Sequence, residues 1–280
     1  MNNYHFEICN VKFSFSTERA FSVVGDAQLF QKPYHDADMH ICCSATNILQ
    51  PEGQLLGEGM RKCSYYHNDM ISRALIYNKD FYALMKYRPK DTSVVCLEVK
   101  CSEWEWAMDQ YHLWLTMALP AMLLYHRAMI LHSSFIEIQG QGILFTAPSG
   151  TGKSTQANLW HRYRGAQIIN GDKAGISLTD TPMAHGVPFS GTSNICENRS
   201  VPLKAIVVLS KAKENQARCL SPSEAVTALC PNVFLDDVVP KEWAMSLNLL
   251  LDLVEQVPVY ALACTPDEHA VDTLEHIMNI

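Results

Sequence analysis

Residues 143–155 read Ile-Leu-Phe-Thr-Ala-Pro-Ser-Gly-Thr-Gly-Lys-Ser-Thr, and this stretch decides the expected fold of the C-terminal half of the chain. It joins an apolar strand to a glycine-containing loop and then to a helix-forming run. The loop matches the Walker A signature G-x-x-x-x-G-K-[ST] except at its first position, where Ala147 stands. An ordinary glycine turn into a helix is the alternative, but the apolar strand and the two well-placed glycines favour a phosphate-binding loop.

The residue types of this loop suit the triphosphate of ATP. Gly150 and Gly152 allow backbone N–H groups to turn toward phosphate oxygens, Lys153 neutralises the β- and γ-phosphates, and the Ser154 hydroxyl ligates Mg²⁺. A helix that begins near Ser154 adds the positive end of its dipole. We therefore expect ATP and Mg²⁺ to be bound by Ser149, Gly150, Thr151, Gly152, Lys153, Ser154 and Thr155.

A second charged position follows the loop. The run Ile168-Ile169-Asn170-Gly171-Asp172 reads as an apolar strand that ends in a carboxylate, and it is expected to lie beside the loop in a parallel sheet. A kinase needs such a carboxylate to hold the metal or to accept the proton of the attacking hydroxyl. The alternative is a solvated aspartate in an Asn-Gly-Asp turn.

The pattern around these motifs predicts two domains. Residues 1–127 read as a β-rich, antiparallel N-terminal domain with a linking helix over about 103–127, and residues 128–280 read as an α/β domain in which strands and helices alternate. Asn78-Lys79-Asp80 predicts a hairpin turn, while Ser221 and Thr265 predict two helix starts. The N-terminal strands are expected at 6–15, 39–44, 71–77, 81–87 and 93–99, and the later strands and helices at 166–170, 205–209, 257–263, 154–163, 222–229, 241–255 and 266–279.

Composition and charge limit the classes of partner and of metal or disulfide site that are expected for the chain. The 280-residue chain carries a net charge of −7 and no dense Lys/Arg run, which argues against a nucleic acid or a membrane surface as partner. The N-terminus has no secretory pattern, so a cytoplasmic protein is expected. The ten cysteines are scattered without a C-x-x-C pair, which argues against a zinc site or a disulfide framework. The sequence contains no signal for an oligomeric state.

His132, the loop 147–154, Asn170-Gly171-Asp172 and the segment 186–191 together resemble the kinase core of the HPr kinase/phosphorylase family and its shorter, stand-alone relatives. That core shares its fold with phosphoenolpyruvate carboxykinase. The resemblance covers about residues 128–280 and does not include the N-terminal half. It implies a P-loop kinase core of the HPr kinase/PEP carboxykinase type.

The same resemblance implies roles for individual residues. His132 is expected near the reacting phosphate, although a histidine satisfied inside a sheet is an equal alternative. The family carries two adjacent aspartates where this chain has Gly171 and Asp172, so Asp172 is expected as base, as metal ligand, or as both. The arginine-containing signature for dephosphorylation is absent, and phosphorylase activity is not expected.

Three further sites complete the sequence-based picture. The segment 185–192 is expected to be a loop that closes over substrate, with a plain connecting turn as the alternative. Arg199 and Lys204 are each a candidate clamp for the transferring phosphoryl group, although both residue types are more often surface charges.

Three functions fit these features. The leading one is an ATP- and Mg²⁺-dependent kinase that phosphorylates a serine-type hydroxyl of a protein, peptide or small molecule, with Asp172, His132 and Lys153 as catalytic residues. The second is a nucleotide-binding sensor or assembly factor with little or no turnover, which the missing second carboxylate favours. Carboxykinase chemistry on an oxo acid ranks last, because the required metal-ligand cluster and arginine pocket are not evident.

Overall fold

The structure, a computed structural model, describes residues 1–33, 36–59, 61–235 and 239–280. The chain forms two units, and each is assembled from two segments. These are Met1–His126 with Asp236–Met245, and Arg127–Leu235 with Ser246–Ile280. The second unit is therefore discontinuous in sequence, and the described chain as a whole is a mixed α/β protein rich in strands.

One eight-stranded sheet dominates the first unit. The strands and α-helices of residues 1–126 in this unit are β1 (Asn2–Ile8), β2 (Val11–Thr17), α1 (Asp26–Leu29), β3 (Met39–Thr46), β4 (Gln54–Gly59), β5 (Lys62–His67), β6 (Met70–Tyr77), β7 (Asp80–Arg88), β8 (Asp91–Lys100), α2 (Trp104–Ala107), α3 (Leu113–Thr116) and α4 (Leu119–Leu124). The strand order is β1-β2-β3-β8-β7-β6-β5-β4. Since β3 pairs in parallel with both β2 and β8, the sheet predicted to be antiparallel is in fact mixed. The long connection that contains α1 provides the crossover that a parallel neighbour requires.

Two-residue turns join several of these strands. Both central residues have positive φ at Cys9-Asn10, Asn68-Asp69 and Asn78-Lys79, as two-residue hairpins prefer. The hairpin predicted at Asn78 is confirmed. The single strand predicted over 6–15 is wrong, because the Cys9-Asn10 turn divides it into β1 and β2.

The single helix predicted over 103–127 is also wrong, and three short helices take its place. The first break follows from Asp109, whose Oδ1 accepts hydrogen bonds from the backbone N–H groups of Tyr111 and His112 at 2.8 Å each. The second break lies at Ala118, whose φ of 45° is left-handed and is followed closely by Pro120. Local side-chain bonds and backbone geometry thus overrule the helical spacing of the apolar residues.

The second unit combines a seven-strand path with helices. The remaining elements of the described chain are β9 (Ala128–Ile138), β10 (Gln141–Thr146), α5 (Lys153–Arg164), β11 (Gln167–Asn170), β12 (Lys173–Leu178), β13 (Pro182–Gly186), β14 (Ser200–Lys211), β15 (Gln216–Cys219), α6 (Pro222–Leu229), α7 (Pro240–Gln256), β16 (Val259–Cys264) and α8 (Glu268–Met278). The strand order is β10-β9-β12-β13-β14-β16-β15, β11 pairs with β9, and β10 also pairs with β14. The parallel pairs β10–β14 and β14–β16 sit among antiparallel ones.

An apolar core packs beneath the helices of this unit. Helix α5 buries Ala157 and Trp160 in a cluster with Phe145 of β10, Val207 of β14 and Leu274 of α8. This packing fixes the direction in which α5 leaves the loop after β10. Burial of each large side chain contributes about 1.5–3 kcal/mol to this packing.

His185 lies in strand β13 rather than in the predicted loop over 185–192. Its ring nitrogens bond to the hydroxyls of Ser177 at 2.8 Å and Ser200 at 2.7 Å. Burial lowers the pKa of His185 to about 4, so the ring is neutral at pH 7. The loop therefore begins only after Gly186, and His185 is part of the core.

A buried ionic cluster belongs to the first unit. Arg73 and Glu242 are both fully buried and form an ion pair, and the Glu242 carboxylate also accepts hydrogen bonds from the hydroxyls of Tyr87 and Tyr125. Glu242 lies in the first turn of α7. Removing one member of a buried ion pair costs about 3–5 kcal/mol, so the cluster holds the start of α7 within this unit.

Within the described ranges, no helix is both long and apolar enough to cross a lipid bilayer. The longest, α7, has 17 residues and carries charged residues along its length.

Candidate active site

Strand β9 organises the candidate site. It pairs antiparallel with β10 on one edge and with β11 and β12 on the other. Strands β10 and β11 therefore run in the same direction, and their carboxyl ends reach the middle of β9, where Ser133 pairs with Thr146 and His132 pairs with Lys173. The loop after β10 and the turn after β11 thus come together at one place.

The loop at residues 147–152 connects β10 to α5 and is exposed over Pro148, Ser149 and Gly150. Gly150 and Gly152 have φ values of 75° and 127°. A Cβ atom built on Gly150 would meet no heavy atom within 4 Å, and one on Gly152 would meet only the Thr155 Cβ at 3.9 Å. The glycines are therefore required by backbone conformation and not by crowding, and the space above the loop is open.

Lys153 is the first residue of α5 and folds back over the loop. Its Nζ donates a hydrogen bond to the carbonyl oxygen of Ala147 at 2.9 Å, and the residue is only 9% exposed. Burial lowers the pKa of the Lys153 ammonium, the Asp172 charge acts against this effect, and the Lys173 charge adds to it. Ser154 and Thr155, in contrast, are exposed at the start of the helix.

Asp172 lies at an interruption in the pairing along β9. Strand β11 ends at Asn170 and β12 resumes at Lys173, with a register shift between Ile168 and Asn170. The strand was expected to end in a carboxylate within a parallel sheet beside the loop, but β11 ends at Asn170, before Asp172, and antiparallel β9 separates it from β10. Irregular pairing of this kind re-aims side chains, and here it turns Asp172 toward His132.

Two cationic or hydrogen-bonding neighbours hold the Asp172 carboxylate. The His132 Nε2 lies 2.9 Å from its Oδ1, and the Lys173 Nζ contacts its Oδ2. Burial tends to raise the pKa of Asp172, but Lys173 and His132 outweigh this effect and hold the pKa below its ordinary value. Asp172 is therefore ionised at neutral pH. The structure thus brings together Asp172, His132 and the loop that carries Lys153.

Asn170 builds the turn that presents Asp172, a role that the sequence pattern did not reveal. Its side-chain oxygen accepts hydrogen bonds from the backbone N–H groups of Asp172 at 3.0 Å and Lys173 at 3.1 Å. Its amide nitrogen donates to the Val187 carbonyl at 2.8 Å, and the residue is fully buried. The Asn-Gly-Asp pattern indicated a turn, and the turn is a rigid, hydrogen-bonded one.

Gly171 is the residue for which the resemblance implied a second aspartate, and the structure has no room for a side chain there. A Cβ atom on Gly171 would lie 2.1 Å from the Ser193 Oγ and 2.4 Å from its Cβ. Ser193 is itself fixed by hydrogen bonds to the Ser190 carbonyl at 2.6 Å and the Ile195 N–H at 3.2 Å. A side chain at position 171, such as an aspartate, is therefore incompatible with Ser193 in its present position.

We expect Gly171→Ala to lower the free energy of unfolding by about 1–3 kcal/mol, because the added methyl group overlaps Ser193. In the double variant Gly171→Ala/Ser193→Gly both clashing atoms are gone, so the double variant should lose less than the two single variants added together. Urea unfolding of all four chains measures this coupling. Strictly additive losses would contradict it.

The loop after Gly186 lies next to Asp172. A Cβ atom on Gly191 would lie 2.6 Å from the Asp172 Cβ, so the loop backbone covers one side of the carboxylate. Phe189 of this loop meets Phe234 edge to face, with ring centroids 5.5 Å apart. The half-buried aromatic pair forms an apolar side of the candidate site that sequence reasoning missed.

The structure does not bring Arg199 and Lys204 to this place. Arg199 forms a bidentate ion pair with Glu137 of β9. Glu137 lies five residues along the strand from His132, which separates the two residues by roughly 16 Å. Lys204 follows Leu203, which pairs with Gly142 at the opposite end of β10 from the loop. Neither residue is placed to clamp a group at Asp172.

The residues present fit MgATP. The open, glycine-containing loop at a helix start suits phosphate oxygens, and Lys153 supplies a positive charge. The exposed Ser154 hydroxyl and the ionised Asp172 are oxygen ligands of the kind Mg²⁺ takes in phosphate sites, where it needs only one or two protein ligands. Among the described residues, no group of three or more His, Cys, Asp or Glu side chains is arranged to hold a metal ion.

Comparison with known proteins gives a solved structure and a family. The structure of the Hpr(Ser) kinase/phosphatase from Coxiella burnetii is similar at 13% identity and a TM-score of 0.31, over 54% of this chain and 92% of that chain. No curated protein matches the chain. The model of the family described as "SynChlorMet cassette protein ScmC" matches residues 99–279. Because this match covers more than half of the chain, the protein belongs to the ScmC family of SynChlorMet cassette proteins.

Proposed function

We propose that this protein is an ATP- and Mg²⁺-dependent kinase that transfers the γ-phosphoryl group to a hydroxyl of a protein, peptide or small-molecule acceptor. One observation carries the proposal. Asp172 is bonded to His132 at 2.9 Å and follows β11, whose end lies across β9 from the end of β10 and the loop that carries Lys153. A phosphate loop beside an oriented carboxylate is the minimum that phosphoryl transfer to a hydroxyl needs.

The chain's own residues divide the work as follows. Ser149–Thr155 bind the phosphates, with Lys153 neutralising the β- and γ-phosphate oxygens, and Ser154 and Asp172 hold the metal. Bound Mg²⁺ supplies neutralisation of the charge on the phosphate oxygens. His132 orients the Asp172 carboxylate through the Nε2 contact at 2.9 Å.

The proton balance of the reaction is simple. The bond between the γ-phosphorus and the oxygen of the departing ADP breaks, and a bond to the acceptor oxygen forms. Asp172 accepts the hydroxyl proton and later releases it to water. Its lowered pKa makes it a weak base, which suits a reaction whose main requirement is positioning.

Labelled ATP tests the proposal. We expect transfer of the γ-label to at least one member of a panel of serine-containing peptides and small hydroxyl compounds, and we expect this transfer to require Mg²⁺. Tight MgATP binding without transfer to any acceptor or to water would instead support the second function, a nucleotide-binding sensor or assembly factor. The single carboxylate at Gly171-Asp172, already engaged by Lys173 and His132, favours that second function.

Gly150→Ala tests the loop itself. A left-handed backbone costs a non-glycine residue roughly 1–2 kcal/mol, so the loop should relax and the affinity for MgATP should fall about 10-fold. Gly140→Ala is the matched control, since Gly140 has nearly the same φ, 76°, and equally open surroundings at the other end of β10. Calorimetric titration should show loss for Gly150→Ala and not for Gly140→Ala. Equal affinities in both variants would place the phosphates elsewhere.

A further inference from the structure

Lys173 is a charged group that the proposed function leaves without a role. It is the first residue of β12 and pairs across the ladder with His132. Its ammonium contacts the Asp172 carboxylate, and its side chain is 16% exposed. Lys173 therefore stands directly beside the group that is proposed to receive the acceptor hydroxyl.

Two aromatic rings fix the position of this ammonium. The Lys173 Nζ lies 5.5 Å from the ring centroid of Phe189 and 4.9 Å from that of Phe234. Ring faces attract a cation without neutralising its charge. The pair of rings thus helps to hold the Lys173 ammonium at the site, beside the Asp172 carboxylate that it contacts.

The net positive charge of Lys153, Lys173 and Asp172 together favours the binding of an anion. Lys173, beside Asp172, and Lys153, folded over the loop, bring two positive charges to the site. Asp172 balances only one of the two. A polyanion that contacts both ammonium groups relieves their repulsion, and charge-assisted contacts of this kind are the strong ones.

The position of Lys173 indicates which phosphate it contacts. The acceptor hydroxyl must meet Asp172 and the reacting phosphorus at once, so the group bonded to the Asp172 carboxylate lies next to the terminal phosphate. Lys153, folded over the loop, serves the β-phosphate that ATP and ADP share as well as the γ-phosphate in the proposed function, whereas Lys173 stands only beside the terminal one. Arg199 and Lys204, the alternative cations, lie at the far end of the strands.

We propose that Lys173 binds the γ-phosphate and is the residue by which the site distinguishes ATP from ADP. The assignment rests on the proposed nucleotide site and deepens it. It also explains how a chain with a single carboxylate and a distant Arg199 still supplies a second cation for the transferring group.

The test compares binding of MgATP and MgADP by calorimetric titration and needs no turnover. Wild-type protein should prefer ATP. Lys173→Met should weaken ATP binding about 10-fold and leave ADP binding within about twofold, whereas Lys173→Arg should keep the preference. Lys153→Met should weaken the binding of both nucleotides. If Lys173→Met does not fold, as judged by thermal unfolding, Lys173→Gln repeats the measurement.

A double variant separates direct contact from an effect through Asp172. In the Asp172→Asn background, Lys173→Met should still reduce the preference for ATP by a similar factor. An unchanged preference in Lys173→Met, an equal loss for both nucleotides, or the disappearance of the effect in the Asp172→Asn background would overturn the assignment. If wild-type protein binds neither nucleotide, the proposed function itself fails; if it binds both and only the Lys173 result is negative, the proposed function stands.

Discussion

Lys153→Ala is expected to weaken MgATP binding on the order of 100-fold, because a charge-assisted contact to phosphate contributes up to about 3 kcal/mol. The change should not unfold the protein. Burial lowers the pKa of the Lys153 ammonium, so the fold does not depend on this charge, and the hydrogen bond of its Nζ within the described residues goes to the Ala147 carbonyl. Titration with MgATP and a thermal unfolding curve together measure both effects.

Lys211→Ala is the matched control for this experiment. Lys211 lies at the end of β14 in the same unit and is exposed, so its loss removes the same charge from the surface without altering the loop. We expect its affinity for MgATP to remain within about twofold of wild type. If Lys153→Ala behaves like Lys211→Ala, residues 147–155 are not a phosphate-binding loop.

Asp172→Asn is expected to reduce phosphoryl transfer by about 10²–10⁴-fold while MgATP affinity changes by less than about tenfold. Asparagine keeps the size of the side chain and can still accept a hydrogen bond from Lys173, but it cannot accept the hydroxyl proton. A rate assay with labelled ATP and a binding titration separate the two quantities. The separation matters because a nucleotide sensor would show the binding without the rate.

Asp252→Asn provides a comparison for the loss of a carboxylate. Asp252 forms a half-exposed ion pair with Arg127 in the same unit, at 2.9 Å. Exposed pairs contribute about 0–1 kcal/mol, so this variant should retain both binding and transfer. Transfer that survives in Asp172→Asn at a rate close to that of Asp252→Asn would remove Asp172 from the proposed chemistry.

Sequence reasoning worked best where a local pattern determines a local structure. The capping box predicted at Ser221 is present, with Glu224 reaching back to the Ser221 N–H at 2.9 Å, and α6 spans the predicted residues. The strand, loop and helix around Lys153 also lie where the pattern indicated. Such features depend on neighbours within a few residues. The role of the loop in binding ATP and Mg²⁺, and the cytoplasmic location, stay predictions.

Features that depend on distant residues were not predictable in the same way. Strands β12 and β13 were missed because their burial comes from pairing with β9 and β14, and not from a strong alternating pattern. The start of α8 was predicted at Thr265, but Asp267 forms the cap, with its side chain accepting from the Ala270 N–H at 3.3 Å. The side chains of Thr265 and Asp267 can both accept a hydrogen bond from the first turn of α8. The packing of the helix decides which of them forms the cap.

The candidate active site shows the same difference between features set by local sequence and features set by distant residues. Asp172 and His132 were identified as individual residues, but their contact depends on the irregular pairing along β9. Lys173, Phe189 and Phe234 come from three segments of the chain, and nothing in the sequence near one of them points to the others. Composition did not reveal that Arg199 is bound by Glu137, since that ion pair joins residues far apart in sequence.

The return of Asp236–Met245 to the first unit has a practical consequence for anyone who wishes to study the units separately. A single cut near residue 127 would give an N-terminal fragment in which Arg73 is a buried cation without its carboxylate. The C-terminal fragment would carry Glu242 stripped of Arg73, Tyr87 and Tyr125. Both fragments should therefore be poorly soluble. Isolated expression of the second unit calls for an internal deletion in which a linker replaces residues 236–245.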